Sequence, residues 1–338
     1  MSSNETLTLD PFVAQFFLVF NLLVCAETVG LFGIIGNIFN IWNFCKQGID
    51  DSVTVTLLAL AVGEIGALAS QQGFNILSMP WMSINNGDID PTAIRFIFIN
   101  LNGYFIRASG LITAYATFER CVSVFWPFKA KLILTRKMAV IVNITIYIVL
   151  LIYLLPPFYV FQFEYIYFPP INKSILFAIV RKDAEVLIPL LYVFVEIIDI
   201  SIPYLIFLIN IICTSFIIQR LKTTSRWRQC VSRSFKKEFK KHTKKKEKRV
   251  MVMLVTLSVV FVVCMLPHCL ALTAFILFDI NGDIIPVIYS FTFLLETINC
   301  SVSCIIYYKM SSKYKDVAKK MLGELKQVFS AGESLSCS

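Results

Sequence analysis

Residues 117–131 read TFERCVSVFWPFKAK, and their first four letters decide how the chain folds. Glu119 and Arg120 close an apolar run, Tyr104–Phe118, whose one other charge is Arg107. An adjacent acid and base at the edge of a greasy helix belong where apolar surroundings end and water begins. The run is therefore read as a helix crossing a bilayer, with Glu119 and Arg120 at one end of it.

Composition extends that reading to the whole chain. The 338 residues are 57% hydrophobic and 16% charged, with mean hydropathy +0.73. A soluble domain is about 45–50% apolar and about 25% charged. The excess lies in seven blocks, each long enough for the roughly 20 residues that span a bilayer: Phe17–Phe44, Val53–Met79, Thr92–Phe125, Met138–Val160, Val186–Gln219, Val250–Phe278 and Ile285–Tyr308. The expected fold is an all-α membrane protein, a seven-transmembrane helix bundle over residues 17–308. Residues 1–16 form the outer N-terminus, and 221–249 a basic third inner loop. Residues 309–338 form an amphipathic helix and tail.

Basic residues set the expected orientation. Of 31 Lys and Arg, Lys46 lies in the first inner segment, four lie in the second, fourteen in Arg220–Arg249 and six in Lys309–Lys326; the outer segments hold Arg95, Lys173, Arg181 and Lys182. The positive-inside rule puts the N-terminus outside and the C-terminus in the cytoplasm, at the plasma membrane. The sequons at Asn4 and Asn172 fall in outer segments and are the expected glycosylation sites. Those at Asn143 and Asn299 lie inside spans and are discounted. MSSNETLTLDPF lacks the basic start of a cleaved signal, so the first span is expected to stay as an anchor.

Several chemistries drop out. None of the ten cysteines lies in an outer segment, and with two histidines and no CxxC no metal site is expected. No cofactor is expected either. The run KKHTKKKEKR has the charge to bind nucleic acid, but joined to a membrane helix it suits anionic lipid headgroups and the acidic face of a partner.

The motifs resemble those of rhodopsin-like (class A) G-protein-coupled receptors along almost the whole chain. Glu119-Arg120-Cys121 stands for the family's Glu/Asp-Arg-Tyr, with Pro127 beyond it. Gly36-Asn37 in span one, Leu60-Ala61 with Glu64 in span two, Pro203 in span five, and Phe261 with Pro267 in span six match family positions. Met265 replaces the tryptophan of Cys-Trp-x-Pro, and Ser303-Cys304-Ile305-Ile306-Tyr307 stands for Asn-Pro-x-x-Tyr, with Asn299 upstream. Arg95 occupies the place of the outer cysteine of span three, so the family's loop disulfide is impossible. The loop after Arg120 is similar to that of invertebrate, molluscan-type chemosensory receptors.

The resemblance implies a receptor rather than an enzyme. It would bind a small molecule or short peptide and activate a heterotrimeric G protein as span six moves outward, with receptor kinase and arrestin as further partners. Arg120 would rest against Glu247, with Glu119, Met265, Pro267 and Tyr307 completing the switch; Asn37, Glu64, Asn299 and Ser303 would form a polar core at which the family binds sodium. The alternative is a transporter or a non-signalling seven-helix protein.

Candidate ligand contacts come from geometry. Asn102 lies five helical turns from Arg120 and shares its face with Ser109, Thr113 and Ala116 nearby. Arg107, Glu196, Asp199 and Glu296 are charges within the membrane, each a functional candidate by default. Arg107 faces span five, where Asp199 is its expected partner, as a structural pair or as part of the pocket. Glu196 and Glu296 would then be left over, giving an acidic pocket that favours a ligand with a positive group. Were Arg107 available instead, an acidic or zwitterionic ligand would fit equally. His268 and Tyr289 are further pocket candidates.

Overall fold

The computed structural model describes residues 10–79, 90–169, 172–231, 238–278, 284–321 and 323–324. Helix α1 (Pro11–Gln47) begins ahead of the apolar block at Phe17 because Asp10 caps it. The Asp10 carboxylate accepts from the amides of Phe12 at 2.8 Å and Val13 at 3.4 Å, and Pro11 brings the preset φ of a first helical position. Residues 11–16, expected in the outer segment, are therefore helical. Helices α2 (Ser52–Leu77), α3 (Pro91–Phe125), α4 (Arg136–Val160), α5 (Ile188–Val231), α6 (Glu238–Phe278) and α7 (Ile284–Met310) come next in the chain. A two-turn helix, Pro127–Ile133, joins α3 to α4. The expected loop 221–249 is helical wherever described, as α5 runs to Val231 and α6 starts at Glu238.

Among the described residues, six helices are long and apolar enough to cross a membrane. The seventh, α3, has 35 residues but is more polar, and it stands inside the bundle against α2, α4, α5 and α6. Close packing with α2 depends on glycine. A Cβ on Gly66 would sit 2.6 Å from the Phe105 ring, and one on Gly73 would sit 2.6 Å from Phe98. Both pairs are seven residues apart, as two antiparallel helices in register require. Tyr147 of α4 joins them by donating to Ala59 O at 2.8 Å, while Tyr104 donates to Tyr147 O at 3.0 Å. Asn143, the discounted sequon, is buried and donates to Ala139 O at 2.7 Å.

Helix α1 departs from regular winding over Val19–Ala26, a π-helical stretch. The wider turns rotate the N-terminal part of α1 about the helix axis relative to its C-terminal part. Asn21 Nδ2 then reaches Ser290 Oγ on α7 at 3.0 Å, and Leu22 O accepts from Asn75 Nδ2 on α2 at 3.4 Å. Helix α7 bends at Val302 without the proline of the family motif. Ser301 Oγ donates to Thr297 O at 2.7 Å and Val29 O at 3.1 Å, a back-bond of the kind that bends helices.

Residues 312–321 form α8, with Tyr314, Ala318 and Met321 buried and Lys313, Lys315, Lys319 and Lys320 exposed. Its seat on α1 is polar. Tyr314 OH donates to Asn40 Oδ1 at 2.6 Å, and Asn43 Nδ2 donates to Tyr314 O at 3.1 Å.

At the opposite end of the bundle lies a hairpin, β1 (Phe161–Phe168) paired antiparallel with β2 (Lys173–Val180). Asn172 in its turn has φ 52°, a left-handed conformation that asparagine tolerates. The hairpin is fastened to α3 without sulfur. Asp90 N donates to Leu176 O at 2.9 Å, the rings of Phe96 and Phe161 lie 4.5 Å apart, and Ile175 is fully buried. Reductant should therefore leave the melting temperature of the purified protein unchanged, while Ile175→Asp should lower it by several degrees. A reductant-sensitive melt would mean that the hairpin is held by something other than these contacts.

Candidate functional site

A cavity of about 670 Å³ opens between the helices at the hairpin end. Leu18, Leu22, Phe74, Ile99, Tyr289 and Phe293 supply much of its apolar wall, and Asn102, Arg107, Asp199, His268 and Glu296 much of its polar wall. Pro203, Phe261 and Met265 also line it, and Met265 packs with Phe261, Ile206 and Cys269 in a buried cluster that includes residues of α3, α5 and α6. Pro267 lies within α6 next to His268, where it removes a backbone donor.

Arg107 and Asp199 meet across α3 and α5, Nη2 to Oδ1 at 2.9 Å, as their helical phases require. Pro203, one turn along α5 from Asp199, lines the cavity beside them. Asn102 is buried and donates to Ala67 O at 3.1 Å. Glu196 lies on α5, but its side chain is outside the described residues.

Glu296 is not left over, as the charge count suggested. His268 Nδ1 lies 3.2 Å from Glu296 Oε1 and 3.2 Å from Thr292 Oγ1. Thr292 and Glu296 are four residues apart, one turn of α7, so both face the same ring of α6. Tyr289 continues the row, 6.0 Å from His268 and 6.0 Å from Phe293, ring to ring. His268 therefore acts as a partner of Glu296.

Below the Met265 cluster lies a buried polar core. Ser303 Oγ faces Glu64 Oε2 at 2.7 Å and Asn37 Oδ1 at 3.1 Å. Asn37 Nδ2 donates to Cys300 O at 2.8 Å, and Asn40 Nδ2 to Asn37 Oδ1 at 2.9 Å. Asn299 is half-buried on α7, a turn from Ser303. Ser109 Oγ packs on Gly63, is buried, and lacks a hydrogen-bond partner among the described residues. A carboxylate with hydroxyl and amide oxygens is the hard donor set a sodium ion takes, so Glu64, Ser303 and Asn37 fit the ion the family resemblance implies.

At the α8 end, Glu119 is buried and turned to α2, accepting from Thr56 Oγ1 at 3.4 Å and from Tyr115 OH at 3.4 Å. Arg120 beside it is half-buried. Glu247 lies on α6 with its side chain outside the described residues. A link between α3 and α6 that the sequence motifs do not mark is the hydrogen bond shared by Thr117 Oγ1 and Ser258 Oγ at 2.6 Å. Tyr307 is buried against Phe44 and Tyr314, and its hydroxyl has no hydrogen-bond partner among the described residues. Asn172 is exposed in the hairpin turn, its Oδ1 accepting from Tyr167 OH at 2.5 Å; Asn4 lies outside the described residues.

A family model described as 7 transmembrane receptor (rhodopsin family) matches residues 36–307. A comparison with curated proteins returned no match.

The Arg107–Asp199 pair offers a direct test. A charge stranded in mid-membrane costs about 2.5–3.5 kcal/mol on insertion scales. Arg107→Ala and Asp199→Ala should each lower surface expression several-fold, and the double variant should regain part of the loss. Single variants that reach the surface normally would show that the pair does not stabilise the bundle.

Proposed function

The chain belongs to the rhodopsin family of seven-transmembrane receptors, and on that premise we propose that it detects an extracellular chemical cue and activates a heterotrimeric G protein. The family consists of receptors, and the reading involves no catalysis. The observation that carries it is the stacking of three layers along α3. A lined cavity lies at one end, the Met265–Phe261 cluster below it, and a buried polar network below that.

The cavity faces outside in this reading, with the N-terminus and the hairpin extracellular, Asn4 and Asn172 glycosylated, and α8 on the cytoplasmic leaflet of the plasma membrane. The exposed lysines of α8 match anionic headgroups. Serines of the inner loop and tail are substrates for a receptor kinase, whose product recruits arrestin. Glu296 gives the cavity floor an acidic character, so the ligand carries a positive group, as an amine, an amino acid or a short peptide does.

Signalling arises from two packings of the inner half. At rest Arg120 pairs with Glu247, and Thr117 holds Ser258. A ligand that binds the other packing better shifts the balance to it. Pressure on Met265 and Phe261 moves α6, with Pro267 absorbing the bend. The buried Tyr307 hydroxyl supports a second packing: an unsatisfied hydroxyl costs about 1–3 kcal/mol, which a rearrangement that gives it a partner recovers. A bound sodium would supply positive charge beside Glu64, held with Ser303 and Asn37.

Cells expressing the chain should answer pooled water-borne amines and short peptides with a calcium or cyclic AMP signal. Glu247→Ala should raise ligand-independent signalling several-fold at equal surface expression, and Ser258→Ala should raise it less. Unchanged or lower basal signalling in both would remove the proposed resting contacts.

A further inference from the structure

Charge is distributed unevenly along the cavity. Arg107 and Asp199, 2.9 Å apart, offset one another. His268 Nδ1 lies 3.2 Å from both Glu296 Oε1 and Thr292 Oγ1, so one imidazole nitrogen is shared between the carboxylate and a hydroxyl. Glu296 is buried and lies farther along α7 than the other α7 residues of the described lining, which places it at the inner end. The remaining charged residue in the described lining is Arg95, at the outer end of α3. Its side chain donates to Thr92 Oγ1 at 3.0 Å, a neutral partner on its own helix. Among the described residues the lining thus carries a carboxylate at its floor and a guanidinium at its mouth.

Arg95 and Arg107 are twelve residues apart on one helix, about 18 Å along its axis, which gives the depth of the cavity along α3. Between them Leu18, Leu22, Phe74, Ile99, Tyr289 and Phe293 give the wall an apolar stretch, interrupted by Asn100 and Asn102. We infer that the ligand is an elongated zwitterion with an apolar middle, its ammonium at Glu296 and its carboxylate at Arg95. The inference rests on the receptor reading above and gives that site its ligand class. A linear peptide of four or five residues with free ends, extended over about 13–18 Å, has this form, as does a long ω-amino acid. In both, the ammonium enters a site whose fixed charge is opposite, and the carboxylate stays at the rim where water is nearest. A plain amine would satisfy the floor but not Arg95, and a plain carboxylate the reverse.

The test uses the purified full-length chain and two probes, 12-aminododecanoate below its micellar concentration and a pentapeptide of alternating valine and alanine. Each is compared with its N-acetyl and its carboxamide form by thermal shift and calorimetric titration. The free zwitterion should bind at least ten-fold more tightly than either blocked form. Arg95→Gln should erase the difference between carboxylate and carboxamide, and Glu296→Gln the difference between free and acetylated amine. Should Glu296→Gln not fold, Arg95→Gln at the half-exposed mouth carries the comparison alone. Binding of one probe and not the other upholds the charge layout and tells whether peptide amides are needed. Equal binding of blocked and free forms overturns the inference, as does the absence of binding by both probes at millimolar concentration. If that happens while Glu247→Ala still raises basal signalling, the ligand assignment falls and the receptor reading stands.

Discussion

A helix carrying Arg95, Arg107, Glu119 and Arg120 can stand in a bilayer only if other helices enclose it, and the bundle is arranged around that constraint. Lipid offers no hydrogen bonds, so charged and polar groups of α3 at membrane depth are stabilised by partners on neighbouring helices. Asp199 of α5 meets Arg107, Thr56 of α2 meets Glu119, and Ser258 of α6 meets Thr117. These contacts fix the rotation of α3 about its own axis. That rotation in turn decides which of its side chains face the cavity.

The second constraint is close approach. Gly66 and Gly73 let α2 lie against the rings of Phe105 and Phe98, and the asparagines of α1 close the ring of helices through α7 and α8. Asn37, Asn40 and Asn43 are spaced at three, so they run down one face and replace water for the bend of α7 and the start of α8. The α6 side differs, since Pro267 interrupts its backbone ladder and a hydroxyl pair, Thr117 with Ser258, joins it to α3.

Hydropathy makes the seven spans legible because bilayer thickness imposes a minimum apolar length on each of them. The Arg107–Asp199 pair was legible too, since helical phase and the cost of a lone charge leave few partners. The pairing of His268 with Glu296 was not, because the rotation of α6 relative to α7 is a property of packing that neither segment carries alone. The π-helical stretch in α1 has no signal in VFNLLVCA that separates it from regular winding. Two signals were present and unread. FQFEYIYF has the aromatic, β-prone character of a strand, and the three-residue spacing of asparagines in GNIFNIWN marks a polar face inside an apolar helix.

Among the described residues the hairpin is held to α3 by a backbone hydrogen bond, a ring contact and a buried isoleucine. Its displacement from α3 breaks no disulfide, so its seat is set by noncovalent contacts of modest strength. A hairpin seated this way can lift from α3 and settle back whatever the redox state of its surroundings.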